Sequence, residues 1–131
     1  MVVLNQLVYE LSARQKAGVE AGAGAWQAAG LGVSQLVWLD GGHGGAERRW
    51  PGPACLAALA GSGVRLEVRV TPWQVDNPAR TQNAVEEEQF SGGLAERGAD
   101  ITRTLHFPGR PSLENHFKVI RTLLTHPLLL P

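Results

Sequence analysis

Three short segments with strand-like patterns, at 33–39, 64–70 and 101–107, constrain the fold of this 131-residue chain most strongly. The middle segment alternates valine or leucine with arginine or glutamate, which is typical of a β-strand with one buried face. Segments that favour helices lie between the three strands, and strands connected through helices pair in parallel by right-handed crossovers. The sequence therefore predicts an α/β fold, with a mostly parallel sheet and flanking helices.

Four helices are predicted around this sheet. Apolar residues at helical spacing favour a first helix over 2–12, and further helices are predicted over 53–61 and 84–97. Ser112 is a candidate N-cap for the last helix, because a serine side chain accepts hydrogen bonds from the first turn of a helix. The last helix carries an apolar stripe that consists of Leu113, Phe117, Ile120 and Leu124.

The whole chain, 1–131, is expected to form one partial domain, the C-terminal portion of a larger α/β domain. Three parallel strands are few for a sheet that helices cover on both faces, and the first predicted helix has no strand before it. Residues 13–32 are rich in glycine and alanine and are predicted to form a flexible insertion, whereas residues 120–131 are predicted to be a variable tail.

Composition argues against several classes of function. Twelve Lys and Arg residues balance twelve Asp and Glu residues, whereas a nucleic-acid-binding surface would need a basic surplus. Cys55 is the only cysteine, which argues against a disulfide scaffold and against a thiolate metal site. No apolar run approaches the ~18 residues of a membrane span, and no targeting sequence is visible. No metal ion or other cofactor is predicted.

Chemistry is expected at the carboxyl ends of the strands, where open parallel sheets bind their ligands. Asp40 follows the first strand and His116 lies after the third, which is the acid-before-histidine order of Ser, Asp, His hydrolase triads. Asp76, after the second strand, is the alternative acid, and His43, in the glycine-rich loop after Asp40, is the alternative base. In such a pair the carboxylate orients the imidazole and stabilises its protonated form. The chain contains no G-x-S-x-G motif that would supply a nucleophilic serine.

A family resemblance rests on four segments in order: VVLNQL at 2–7, WLDGGHGG at 38–45, VTPWQV at 70–75, and LHF with PSLENHF at 105–107 and 111–117. Together they resemble the C-terminal part of an α/β-hydrolase-like family of mitochondrial proteins, represented in humans by an open reading frame on chromosome 2. In that family a G-x-S-x-G-type elbow precedes the segment that matches Val2. The order of Asp76 and Asn77 departs from the family pattern, in which a basic residue and then an aspartate precede the proline.

The resemblance implies a mitochondrial protein, and a parent protein that is a serine ester hydrolase. This chain is then expected to be N-terminally truncated, to lack the nucleophile and to be inactive by itself. The parent's substrate would be a small apolar molecule or an ester, and Trp38, Trp50 and Trp73 near the strand ends hint at apolar contacts. The alternative is a non-enzymatic mitochondrial scaffold or partner-binding protein on a hydrolase-like fold, since fold does not dictate function.

Overall fold

The described part of the chain is built on three parallel strands. A computed structural model describes residues 33–41 and 52–122. Its sheet has the order β1 (Gln35–Leu39), β2 (Arg65–Val70) and β3 (Ile101–Leu105), with β2 in the centre and parallel to both neighbours. The predicted α/β class and parallel pairing are therefore confirmed. The third strand ends two residues earlier than predicted, because Phe107 adopts a left-handed backbone conformation, with φ 51°, which a continuous strand cannot contain.

Helices connect the strands and follow the last one. Their bounds are α1 (Pro53–Ala60), α2 (Pro72–Val75), a 3-10 turn (Pro78–Arg80), α3 (Thr81–Ala95), α4 (Leu113–Lys118) and a second 3-10 turn (Val119–Arg121). Proline is the first residue of α1 and of α2, a position where its missing N–H costs nothing. Ser112 is the N-cap of α4, as predicted, and accepts a hydrogen bond from the backbone N–H of Asn115 at 3.4 Å. No helix within the described ranges is long and apolar enough to cross a membrane.

One face of the sheet carries the apolar core. The alternation in β2 places Leu66 and Val68 on this face, both at most 1% exposed. Helices α1 and α3 cover it with leucine and phenylalanine side chains, and Trp38 of β1 packs on Phe90 of α3 with ring centroids 4.8 Å apart. The buried core consists of Leu36, Trp38, Leu56, Leu59, Val64, Leu66, Val68, Val70, Phe90 and Leu94.

A charged pair ties β3 to α3 at the edge of this core. The guanidinium of Arg103 donates to both carboxylate oxygens of Glu87 at 2.8–3.1 Å, and Glu87 is only 1% exposed. This hydrogen-bonded carboxylate raises the pKa of Arg103. The sequence predicts a helix over 84–97, in which Glu86, Glu87 and Glu88 would lie beside the N-terminus. Because α3 begins at Thr81, the first turn holds no acidic residue and Glu87 serves instead as the buried partner of β3.

The opposite face of β2 is polar but is buried near its carboxyl end. Arg69 is 3% exposed and donates through Nε to Glu67 at 2.6 Å and through a terminal nitrogen to the Thr122 hydroxyl at 2.8 Å. Gln35 of β1 donates to the other Glu67 carboxylate oxygen at 3.2 Å. The 3-10 turn after α4 is thereby attached to the central strand on the face opposite the apolar core.

The apolar stripe of the last helix does not face the sheet. Leu113, Phe117 and Ile120 are 49%, 61% and 55% exposed, whereas Val119 is fully buried. Leu124 lies outside the described residues, as do the predicted helix over 2–12 and the predicted insertion over 13–32.

Candidate functional site

Asp40 lies at the carboxyl end of β1 and is buried. Its backbone N–H donates to the carbonyl of Arg69 at 2.7 Å, which extends the pairing of β1 with β2 by one residue. Its backbone is left-handed, with φ 44°, a conformation that aspartate tolerates better than most residues. Non-glycine residues in this region often mark functional sites. The turn directs the carboxylate of Asp40 across the end of β2.

His116 meets Asp40 at this edge of the sheet. It lies in α4, and its Nδ1 is 2.7 Å from Oδ2 of Asp40. The side chain of His116 is 27% exposed and that of Asp40 is 0% exposed, so the imidazole covers the carboxylate while remaining in contact with solvent. The two residues are 76 positions apart in the chain, and they follow β1 and β3, which are not neighbours in the sheet.

Thr71 connects the pair to the central strand. It directly follows β2, and its backbone N–H donates to Oδ1 of Asp40 at 2.7 Å. Its hydroxyl donates to Oδ2, the same oxygen that faces His116. Gln74 of α2 is also buried and donates to the carbonyl of Gly41 at 2.9 Å, which holds the backbone just after Asp40. The buried carboxylate therefore accepts three hydrogen bonds, as a buried charge requires.

Sequence reasoning missed Thr71 and Gln74. The available signal was position, because polar residues directly after the central strand lie at the edge where ligands bind. In the segment VTPWQV the more conspicuous residue is Pro72, because proline ends the strand. A threonine at that point is equally typical of an ordinary helix N-cap.

The contact pairs Nδ1 of His116 with a carboxylate oxygen. Opposite an ionised carboxylate, which only accepts hydrogen bonds, Nδ1 of a neutral imidazole carries the proton and Nε2 keeps its lone pair. No hydrogen bond at Nε2 is made within the described residues. An imidazole in this state can accept a proton through Nε2, and the neighbouring carboxylate stabilises the resulting imidazolium.

The alternative acid and the alternative base are placed differently. Asp76 is exposed and caps the carboxyl end of α2, and the structure gives Asp40 as the hydrogen-bond partner of His116. His43 lies outside the described residues. Among the residues that the structure describes, no group of three or more metal-binding side chains comes together.

Of the three tryptophans named from the sequence, the structure describes Trp38 and Trp73, which lie in different surroundings. Trp38 is 3% exposed and belongs to the core. Trp73 is half-buried and packs under the guanidinium of Arg80, 5.2 Å from its ring centroid. Trp50 lies outside the described residues. The aromatic ring beside the imidazole is instead Phe117, with ring centroids 5.1 Å apart.

Fold and site together define an α/β protein whose carboxyl sheet edge holds a buried acid–histidine pair. A family model described as C2orf69 matches residues 1–100, and the chain belongs to this family. A zebrafish relative named mitochondrial protein C2orf69 homolog is 42% identical over 125 residues, which are 92% of this chain and 34% of the relative. The human mitochondrial protein C2orf69 is 36% identical over 121 residues, 90% of this chain and 30% of the human protein. The mouse homologue is likewise 36% identical over 121 residues.

These comparisons confirm membership of a family of mitochondrial proteins and the mitochondrial localisation that the resemblance implied. The chain spans about a third of the length of the curated relatives that it matches. No solved structure matches it.

Proposed function

We propose that the full-length protein of this family is a serine-type ester hydrolase in which His116 is the general base and Asp40 orients it. The observation that carries the proposal is the 2.7 Å contact between Nδ1 of His116 and Oδ2 of the buried Asp40. This contact leaves Nε2 as the basic nitrogen, which is the form that a general base needs.

In this mechanism Nε2 of His116 removes the proton from a serine hydroxyl as the serine oxygen attacks the ester carbonyl. The imidazolium then returns that proton to the departing alkoxide, and an acyl-enzyme remains. A water molecule, deprotonated by the same nitrogen, releases the acid and restores the serine. The serine would come from an elbow in the part of the family protein that precedes the matched segment.

An α/β-hydrolase-like sheet is part of this proposal. Two observations support it. The strands are parallel, and Asp40 follows β1 whereas His116 follows β3, which is the acid-before-histidine chain order of such hydrolases. In this proposal Asp40, and not Asp76, supplies the carboxylate of the pair, and His116, and not His43, supplies the imidazole. The exposed ring of Phe117 beside the imidazole supports an apolar acyl or alcohol group in the substrate.

Labelling of the full-length zebrafish relative with a fluorophosphonate probe tests the proposal. Alanine at the position aligned with His116 is expected to slow labelling by at least about a hundredfold, since general-base catalysis contributes roughly that factor or more. Asparagine at the position aligned with Asn77, where the family pattern has an aspartate, is the matched control and is expected to leave the rate unchanged. Equal labelling of the histidine variant and the unmodified relative would exclude His116 from the mechanism. No labelling of the unmodified relative would contradict the hydrolase and favour the partner-binding alternative.

A further inference from the structure

Thr71 is a buried polar residue at a helix N-cap position, but its side chain does not cap the helix. It is 0% exposed and is the N-cap residue of α2, but its side chain makes no capping hydrogen bond. Threonine at an N-cap ordinarily accepts a hydrogen bond from the first turn of its own helix. Here the hydroxyl donates to Oδ2 of Asp40 instead.

The two donors of Thr71 hold both carboxylate oxygens of Asp40. The backbone N–H holds Oδ1 and the hydroxyl holds Oδ2, so rotation of the carboxylate would break one or both hydrogen bonds. Both donors belong to the first residue after the central strand, which is paired on both sides. The orientation of Asp40 is therefore set by the best-anchored part of the sheet.

We propose that Thr71 is the positioning residue of this site: its hydroxyl and backbone N–H hold Oδ2 of Asp40 against Nδ1 of His116 and thereby fix the imidazole in the Nδ1–H form. The importance of Thr71 for catalysis rests on the proposed function. The orientation itself is a property of the chain that can be measured without any reaction.

Histidine-selective ¹⁵N NMR of the 131-residue chain tests the inference. In the wild-type chain His116 is expected to show one neutral tautomer, with the proton on Nδ1 and slow exchange of that proton with water. Thr71→Val removes the hydroxyl and keeps the shape and the backbone N–H. This variant is expected to show both tautomers and about tenfold faster proton exchange, the factor that one hydrogen bond to a charged group supplies.

Two further variants separate positioning from general damage. Thr71→Ser restores the hydroxyl and is expected to return the tautomer and the exchange rate to wild-type values. Thr102→Val changes an exposed threonine of β3 in the same way and is expected to alter neither. A single Nδ1–H tautomer with wild-type exchange in Thr71→Val would overturn the inference, as would a mixture of tautomers in the wild-type chain.

A measurement on the wild-type chain keeps the inference testable if Thr71→Val does not fold. The proton of a buried hydroxyl that donates to a carboxylate exchanges slowly with water. The hydroxyl proton of Thr71 is therefore expected to give its own signal in the proton spectrum, with a cross-peak that shows it to be close in space to the Nδ1 proton of His116. Its absence would overturn the inference. These NMR results do not depend on probe labelling of the relative, so failure of the hydrolase proposal and failure of the Thr71 inference are separate outcomes.

Discussion

Replacement of Asp40 by asparagine separates its charge from its shape. The amide oxygen can take the place of Oδ1 and still accept a hydrogen bond from the backbone N–H of Thr71. It has to take this position, because a backbone N–H can only donate. The amide nitrogen then takes the place of Oδ2 and faces the Thr71 hydroxyl and Nδ1 of His116. The hydroxyl can rotate to accept a hydrogen bond, but His116 can accept only after its proton moves to Nε2.

The expected loss of stability follows from these three hydrogen bonds. The hydrogen bond from the Thr71 backbone N–H is kept but loses its charged acceptor. The other two, with the Thr71 hydroxyl and with His116, reverse direction and become neutral. The difference between a charged and a neutral hydrogen bond is about 1 kcal/mol, so the gross loss is about 2–3 kcal/mol. A buried amide costs less to desolvate than a buried carboxylate, which offsets part of this loss. We expect Asp40→Asn to lower the free energy of unfolding by about 1–2 kcal/mol.

Urea denaturation and histidine-selective ¹⁵N NMR measure the two consequences. The stability should fall by that amount, and His116 should change from the Nδ1–H to the Nε2–H tautomer. Asp76→Asn is the matched control, because Asp76 is exposed and the hydrogen-bond partner of the His116 imidazole is Asp40. This control should stay within about 0.5 kcal/mol of the wild-type chain, as surface substitutions usually do. An unchanged tautomer in Asp40→Asn, or the same change in Asp76→Asn, would refute the assignment of Asp40 as the partner of the histidine.

Two further pairs of substitutions test packing, and urea denaturation measures both. Gly92→Ala should stabilise α3 by about 0.5–1 kcal/mol, because its new methyl group meets nothing within 4 Å. Gly93→Ala should gain less or lose stability, because its methyl group would lie 3.0 Å from Cδ1 of Leu56, and equal gains would contradict the close approach of α1 and α3. Val119→Ala should cost about 1–2.5 kcal/mol and Phe117→Ala less than about 1 kcal/mol, since Val119 is fully buried and Phe117 is 61% exposed. A larger loss for Phe117 would show that the apolar stripe is the packed face.

The sheet was predictable because its strands carry local signals. Alternation in β2 and the short apolar run of β1 both indicate strands, and intervening helices leave parallel pairing as the expected topology. Gly92 and Gly93 weakened the prediction of α3, but the helix continues through both. At Gly93 the absence of a side chain permits the close contact with Leu56, which a local propensity scale does not include.

The pairing of acid with base was only half predictable. The rule that ligands bind at the carboxyl ends of parallel strands selects two acids and two histidines, Asp40, Asp76, His43 and His116, but does not choose among them. The choice depends on how the chain leaves each strand. Asp40 is the first residue after β1, and its left-handed backbone directs the carboxylate across the end of β2. After β2 the chain enters α2 at once, which places Asp76 at the far end of that helix and in solvent.

The orientation of α4 shows why hydrophobic periodicity alone does not identify the face of a helix that packs on the sheet. A stripe at helical spacing predicts burial when nothing else holds the helix, but α4 is only six residues long and continues as a 3-10 turn. With three residues per turn, His116, Val119 and Thr122 fall on one side. The polar members of this set bind partners that the sheet already fixes, Asp40 and Arg69. Turning the apolar stripe inward would take His116 from the Asp40 carboxylate and Thr122 from the Arg69 guanidinium, and losing two hydrogen bonds to buried charged groups costs more than exposing one phenylalanine. The polar contacts therefore select the face of α4, and the same choice that exposes Phe117 presents His116 to the acid.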